Sequence, residues 1–209
     1  MTANPEVVAL AEADLPAAAE MLSRAFYDDP LQIYTLPDPA ERAARSPALF
    51  AAALRYGQLF GEVLTTAGPP VGVAIWIRPD AWDITPQRAA AAGLDRLPEE
   101  IGADAAGRFF SALAAADPYH RRDVDPVHWW VMVLGVAPEA QGRGLARSLL
   151  QPVMERAEAA GQPCYLETAN PKNIAFYERV GFRRIAEILE PASGLKFWTF
   201  RRDPSAAGG

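Results

Sequence analysis

The chain has 209 residues, 50% of them hydrophobic, which is enough apolar material for one domain with a real core. Its formal net charge of −6 and its sequence pI near 5.0 argue against a nucleic-acid partner, because phosphate binding normally leaves a basic surface. One cysteine and two histidines exclude a disulfide framework and a cysteine-based zinc site, and they disfavour metal-dependent hydrolysis, so we expect no metal.

The chain shows no targeting or membrane-spanning segment. No stretch approaches the ~20 consecutive apolar residues that a membrane span needs. The N-terminus "MTANPEVVALAEADLP" lacks the basic start and apolar core of a signal peptide. We therefore expect a cytoplasmic protein without a membrane partner.

The first half of the chain predicts a helical protein with two central strands. A short strand and a helix are expected in "EVVALAEADLPAAAEMLSRAF", with Asp14 as N-cap and Pro16 in the first turn. A turn-rich connector, "YDDPLQIYTLPDP", precedes a helix from Ala40 to about Phe60. Two strands joined at "AGPP" follow, and then an alanine-rich helical segment from Thr85 to about Ala116, broken near Pro98.

The second half predicts strands that alternate with helices. The apolar run "HWWVMVLGV" indicates a central strand buried on both faces. A long helix to about Ala160 leads to the buried strand "PCYLET", where Cys164 is expected to be an inert thiol. A short helix in "NPKNIAFYERVGF" ends at Gly181 in the left-handed conformation, and a hairpin around "PASG" follows. Without repeats or linkers, residues 1–209 form a single domain, with a flexible tail from about residue 204.

Two glycines lie where the central strand passes into the long helix, in "QGRGLA", Gln141 to Ala146. Glycine lets the backbone approach a ligand closely, and a helix N-terminus binds anions. The lysine of a P-loop is absent, as is the third glycine of a dinucleotide fingerprint. Taken alone, the loop fits a phosphate cradle and a plain tight turn equally well.

The second candidate site lies in "ETANPKNIAFYERVGF". Asn173 and Tyr177 are four residues apart and share a helix face. A tyrosine there could protonate a leaving group. Alternatively, Tyr177 forms a packing face with Ile174 and Val180, and the spacing alone leaves both interpretations open.

Together these segments resemble the GCN5-related N-acetyltransferase (GNAT) superfamily, whose signature [QR]-x-x-G-x-[GA] matches Gln141, Gly144 and Ala146. The resemblance extends from about His128 to Arg184 and is greatest to the branch that contains puromycin N-acetyltransferase. The N-terminal half is only loosely similar. The resemblance implies an α/β (α+β) fold, with a mixed, mostly antiparallel sheet that has two splayed parallel central strands and flanking helices.

The resemblance also implies an acetyl-CoA site. The pantetheine arm would pair with backbone groups of Leu134, Gly135 and Val136, with Gly135 at a β-bulge. Asn173 would hydrogen-bond the cosubstrate. The pyrophosphate would rest on the loop and first helical turn, formed by Gln141, Gly142, Arg143, Gly144, Leu145, Ala146 and Arg147.

The same resemblance assigns roles in the reaction. Tyr177 would be the general acid that protonates the departing thiolate. Glu167, at the end of "CYLET", is either the base or a structural carboxylate that caps nearby backbone. His128 begins its strand far from the splayed end, which favours a structural role.

The acceptor pocket is expected to include Phe26, Tyr27, Asp29, Tyr34 and Trp130. Aromatic side chains with an acidic group suit a cationic amine that carries an apolar body, although Phe26 and Tyr34 could instead belong to the core. We expect a monomer or homodimer that acetylates a small-molecule amine by direct attack in a ternary complex with acetyl-CoA. The alternatives are another acyl group, a protein amine as acceptor, or a non-catalytic acyl-CoA sensor.

Overall fold

The computed structural model describes residues 6–205, in which seven strands form one mixed sheet. The strand order is β1-β2-β3-β4-β5-β7-β6, and every neighbouring pair is antiparallel except β4 and β5. This arrangement confirms the predicted fold class. The strands are β1 (Val7–Ala9), β2 (Gly61–Thr66), β3 (Gly72–Ile77), β4 (Trp129–Val136), β5 (Cys164–Thr168), β6 (Arg183–Leu189) and β7 (Lys196–Arg202).

Helices cover both faces of the sheet. Leu22 and Tyr56 pack on one face in a cluster with Ile75, whereas Leu149 and Phe200 belong to the cluster on the other face. The helices are α1 (Leu15–Ala25), α2 (Pro30–Thr35), α3 (Pro39–Phe60), α4 (Pro86–Ala92), α5 (Leu97–Ile101), α6 (Ala103–Ala114), α7 (Asp117–Asp123), α8 (Leu145–Ala159) and α9 (Ile174–Arg179). Among residues 6–205, no helix is long and apolar enough to cross a membrane.

The two parallel strands separate after three residue pairs. Trp129–Val131 of β4 pairs with Cys164–Leu166 of β5, and beyond that point the structure describes no pairing between them. From Met132 onward, β4 therefore has an open edge on this side. Backbone N–H and C=O groups along such an edge can bind an extended ligand as if it were an added strand.

The bulge in β4 lies at Met132, so the predicted bulge at Gly135 is wrong. Ile75 pairs with Val133 and Trp76 pairs with Val131, which leaves Met132 as the extra residue, whereas Gly135 pairs in register. Gly135 is needed for a different reason. A Cβ atom there would lie 2.6 Å from Leu22 Cδ2, so glycine lets helix α1 pack directly against the strand.

Helix α1 begins where the sequence predicts, with Asp14 at the N-cap position and Pro16 in the first turn. The Asp14 side chain, however, makes no capping hydrogen bond, because Asp14 ends a 3-10 turn in helical conformation. The connector predicted after α1 contains the helix α2. Asp29 begins α2 by accepting a hydrogen bond from the Leu31 N–H at 3.0 Å, and Pro30 supplies a preorganised first residue.

The helical segment between β3 and β4 is divided at glycines. Gly93 and Gly102 adopt φ angles of +78° and +94°, which terminate helices readily. Pro98 lies in the first turn of α5, where its missing N–H costs nothing, so the break predicted near Pro98 is present but lies at the glycines on either side of it. Helix α7 was not predicted at all.

Ser205, which belongs to the predicted C-terminal tail, is attached to the rest of the protein. The backbone N–H of Ser205 donates to Glu158 Oε1 at 2.6 Å, so the chain is still attached to α8 at that residue. The remainder of the predicted tail, residues 206–209, lies outside the described residues.

Candidate active site

A cavity of about 710 Å³ lies beside the open edge of β4. We call it the central cavity. Its floor is formed by residues 130–134 of β4 and 167–169 at the end of β5, and its cover comes mainly from the helical segment between β3 and β4. One face of β4 opens onto this space, and most of its residues are half-buried, so the predicted burial of β4 on both faces is wrong.

Three of the five predicted acceptor residues, Phe26, Asp29 and Trp130, line the central cavity, and two do not. Tyr27 lies elsewhere, because its hydroxyl donates to the Pro39 carbonyl at 3.1 Å. Tyr34 packs in a separate apolar cluster with Phe197 and Ala112. The predictions for Tyr27 and Tyr34 are therefore corrected.

Asp29 places an acidic group in a largely apolar wall. Asp29 is 9% exposed as a residue, and burial raises the pKa of its carboxylate to about 6, against the opposing effect of hydrogen bonds from Leu31 and Asn170. An ammonium group in the cavity would stabilise the charged form of this carboxylate.

Tyr177 belongs both to the core and to the cavity wall. Its ring packs against Phe182 and Phe200, at centroid distances of 6.1 and 5.5 Å. It also lines the central cavity together with Asn173. Burial, with a smaller effect of the Asp29 charge, raises the pKa of Tyr177, so the phenol keeps its proton at neutral pH. The structure is thus compatible with both interpretations of Tyr177, as a packing residue of the core and as a side chain that could protonate a leaving group in the cavity.

Glu167 is held by side chains and lies in the same cavity wall. Trp130 Nε1 donates to Glu167 Oε2 at 2.9 Å, and His120 Nδ1 lies 3.2 Å from Glu167 Oε1. Among the hydrogen bonds of the described residues, none joins Glu167 to a backbone group. The expected alternative of backbone capping is therefore not seen.

His120 is a titratable cavity residue that the sequence pattern did not indicate. It lies in the unpredicted helix α7, 47 positions before Glu167 in the chain, and no motif surrounds it. His128 is fully buried behind it, bonded to His120 and to the Asp125 carbonyl. The predicted structural role of His128 agrees with this position.

The glycine loop presents free backbone donors at the end of β4. Gly142 and Gly144 have φ angles of +75° and +82°, which other residues adopt at a cost of roughly 1 kcal/mol. The first helical hydrogen bond of α8 joins the Ser148 N–H to the Gly144 carbonyl at 3.2 Å. The preceding N–H groups therefore have no partner within the helix and, with the helix dipole, attract anions.

Two side chains attach this loop to its surroundings. Gln141 Nε2 donates to the Val136 carbonyl at 3.1 Å, and Arg143 donates to the Glu139 carbonyl at 2.9 Å. Gln141 thus connects the loop to the last residue of β4. Arg147 is exposed in the first turn of α8. The open strand edge and the donor-rich loop are consecutive in the chain, which fits a ligand with an extended arm and a phosphate end.

Comparisons with known proteins agree with this arrangement. Residues 103–182 match the model of the acetyltransferase (GNAT) family. An uncharacterised N-acetyltransferase of Schizosaccharomyces pombe is 27% identical over 179 residues, which span 81% of this chain and 70% of that protein. The N-alpha-acetyltransferase RimI of Mycobacterium tuberculosis is 38% identical over 82 residues, or 37% of this chain and 51% of that protein.

A solved structure shares the fold along the whole chain. The structure of histone acetyltransferase HPA2 and related acetyltransferase from Corynebacterium glutamicum has a TM-score of 0.72 at 24% identity and covers 99% of both chains. The family match lies on the segment that contains β4, the glycine loop, β5 and Tyr177. Residues 103–182 therefore match the GCN5-related N-acetyltransferase superfamily, and the similarity of the chain to N-acetyltransferases supports acetyl-CoA-dependent N-acetyl transfer.

Proposed function

We propose that the acceptor is the primary amine of a small molecule whose apolar body occupies the central cavity. The observation that carries this proposal is the cavity itself: about 710 Å³, next to the open edge of β4, with a largely apolar and aromatic lining. Asp29 and Glu167 are acidic groups within that lining. A cationic amine with an apolar body complements both features.

The open edge and the loop support an assignment of the cosubstrate site. Backbone groups of Leu134, Gly135 and Val136 hold the pantetheine arm of acetyl-CoA, and Asn173 hydrogen-bonds it. The pyrophosphate rests on the N-terminal end of α8, where free N–H groups and two arginines are available. The residues of that phosphate site are Gln141, Gly142, Arg143, Gly144, Leu145, Ala146 and Arg147.

Acetyl-CoA supplies an activated thioester, and the chain supplies the proton transfers. Glu167 accepts a proton from the ammonium form of the acceptor, whose neutral nitrogen then forms a bond to the carbonyl carbon by direct attack in a ternary complex. A backbone N–H on β4 donates to the carbonyl oxygen as its negative charge develops. Tyr177 donates its proton to the sulfur as the carbon–sulfur bond breaks, and the nitrogen passes its extra proton to the resulting phenolate as the amide forms.

An acceptor panel tests this function by thiol release. We expect turnover with arylalkyl and long-chain alkyl primary amines, and little with short polar amines, because only the former fill an apolar cavity. A peptide with a free N-terminus belongs in the panel, because one relative is named an N-alpha-acetyltransferase. Preferential turnover of that peptide would move the assignment to a protein amine. Acetyl-CoA binding without turnover of any amine would indicate a non-catalytic sensor. A faster reaction with propionyl-CoA than with acetyl-CoA would assign propionyl as the transferred group.

Replacing Tyr177 with phenylalanine removes the proposed proton donor and preserves the ring that packs on Phe182 and Phe200. We expect kcat to fall by about a hundredfold, while the KM for acetyl-CoA changes little, because the lost interaction forms as the thiolate leaves. Tyr27→Phe is the matched control, since Tyr27 lies outside the central cavity, and it keeps wild-type kcat. An unchanged kcat in Tyr177→Phe would place the general acid elsewhere.

Replacing Glu167 with glutamine keeps an acceptor for Trp130 and removes the proposed base. We expect kcat/KM for the amine to fall by about a hundredfold at pH 7. A base is needed less when the amine is already unprotonated, so the defect should shrink for an acceptor with a weakly basic nitrogen. A defect of the same size for both kinds of acceptor would assign Glu167 a structural role.

A further inference from the structure

A chain of four polar contacts leads from the central cavity into the protein. Trp130 Nε1 lies 2.9 Å from Glu167 Oε2, and Glu167 Oε1 lies 3.2 Å from His120 Nδ1. His120 Nε2 lies 2.8 Å from His128 Nε2, and His128 Nδ1 lies 2.6 Å from the Asp125 carbonyl oxygen. The side chains of His120 and Glu167 are only 6% and 15% exposed.

The carbonyl at the inner end determines the protonation states along this chain. A carbonyl only accepts, so His128 Nδ1 carries a hydrogen. Burial, with a smaller effect of the His120 charge, lowers the pKa of His128 to about 4, so His128 holds no second proton at neutral pH. Its Nε2 therefore accepts, and His120 Nε2 must be the donor.

The position between Glu167 Oε1 and His120 Nδ1 can then be either empty or occupied by one proton. When it is empty, the carboxylate faces the lone pair of a neutral imidazole. When it is filled, both groups are satisfied, either as imidazolium and carboxylate or as imidazole and carboxylic acid. The pair therefore binds this proton as a unit.

Aromatic rings pack around the His120 side of the pair. Tyr165 stacks on His120 at a centroid distance of 4.2 Å, and Trp82 and Trp130 pack around the same ring at 4.9 and 5.1 Å. Other titratable or charged groups lie near the pair. Helix α7 and the residues that follow it contribute Asp117, Arg121, Asp123 and Asp125. The loop before α4 contributes Asp83, β7 contributes Arg201, and Asp29 and Tyr177 lie across the cavity.

We propose that Glu167 and His120 together form the proton acceptor of the reaction, and that the proton removed from the amine comes to rest between Glu167 Oε1 and His120 Nδ1. This inference rests on the proposed function, because it needs an amine whose proton must be removed. Glu167 contacts the amine, and His120 holds the transferred proton from behind. When the product leaves, the proton returns to water through the cavity.

The variant His120→Asn distinguishes two possible roles of His120, which are to hold the transferred proton and to position the Glu167 side chain. The asparagine amide nitrogen occupies nearly the place of Nδ1 and still donates to Glu167, but it does not accept a proton. With the best acceptor of the panel, we expect a kcat at least about tenfold lower. We also expect the acid limb of the kcat/KM–pH profile to move to lower pH, because Glu167 then has no second group with which to share the proton. Wild-type kcat and an unmoved acid limb would overturn the inference.

Imidazole ¹⁵N spectra of tag-free protein provide a readout that does not depend on turnover. The chain has only two histidines, so the spectrum of His120→Asn assigns both rings of the wild type. We expect the imidazolium form of His120 to persist to higher pH in the wild type than in Glu167→Gln. An identical His120 titration in both proteins would overturn the shared proton.

The two assays also separate this inference from the function on which it rests. Absence of turnover with every amine would refute the proposed function, and the NMR titration would still decide whether the pair shares a proton. Normal turnover with a clear Glu167→Gln defect but no effect of His120→Asn would refute the inference alone.

Discussion

The substitution Gly144→Glu should abolish acetyl-CoA binding. Gly144 has a φ of +82° and lies directly before α8, where free N–H groups face the proposed pyrophosphate. A carboxylate there would occupy the anion site and repel a phosphate by about 4 kcal/mol at 4 Å and an effective dielectric constant of 20. Titration calorimetry with acetyl-CoA should therefore show an affinity reduced by at least about a hundredfold.

Gly144→Asn is the matched control for this variant. Asparagine tolerates the left-handed conformation better than most residues and is neutral. A Cβ atom at position 144 meets no other atom within 4 Å, so neither variant creates a clash. We expect Gly144→Asn to bind acetyl-CoA within about tenfold of the wild-type affinity. Wild-type affinity in Gly144→Glu would show that phosphate does not bind at this loop.

The substitution Gly61→Ala should lower the stability of the folded protein more than the other substitutions proposed for this chain. Gly61 begins β2 opposite Ile77, and a Cβ atom there would lie 1.8 Å from the backbone carbonyl oxygen of Trp76. Backbone in the middle of a sheet does not yield as a side-chain tip does, so strands β2 and β3 must move apart. We expect a loss of about 3 kcal/mol or more, measured as a fall in Tm of about 10 °C.

The substitution Gly107→Ala, by contrast, should increase the stability of the folded protein. Gly107 is exposed inside α6, and a Cβ atom there has no neighbour within 4 Å. Alanine in a helix interior is favoured over glycine by up to about 1 kcal/mol, so Gly107→Ala should raise Tm slightly. Equal Tm values for the two alanine variants would contradict the close approach between Gly61 and Trp76.

Local patterns predicted the strand, loop and helix that form the proposed cosubstrate site. The apolar run of β4, the two glycines and the start of α8 are adjacent in the chain, so their relationship is visible without a structure. The same holds for Tyr177, which follows β5 by nine residues. These segments also carried the resemblance that the family match confirms.

Contacts between distant segments could not be predicted in this way. His120 reaches Glu167 only because α7 folds back over β5, and neither the helix nor its position follows from a periodic pattern. The requirement for glycine at position 135 likewise depends on Leu22, which is 113 residues away in the chain. The bulge was therefore assigned to the glycine, whereas the extra residue is Met132.

The largest part of the cover of the central cavity comes from one continuous piece of chain. Residues 82–121 contribute more of its lining than any other segment, including Leu94, Phe109 and Leu113, and they lie between β3 and β4. The strand edge and the glycine loop come later, from 132 to 147. Most of the cover of the proposed acceptor site thus precedes the proposed acetyl-CoA site in the chain. Grafting that cover from a relative would change the cavity wall without altering the sequence of the proposed acetyl-CoA site.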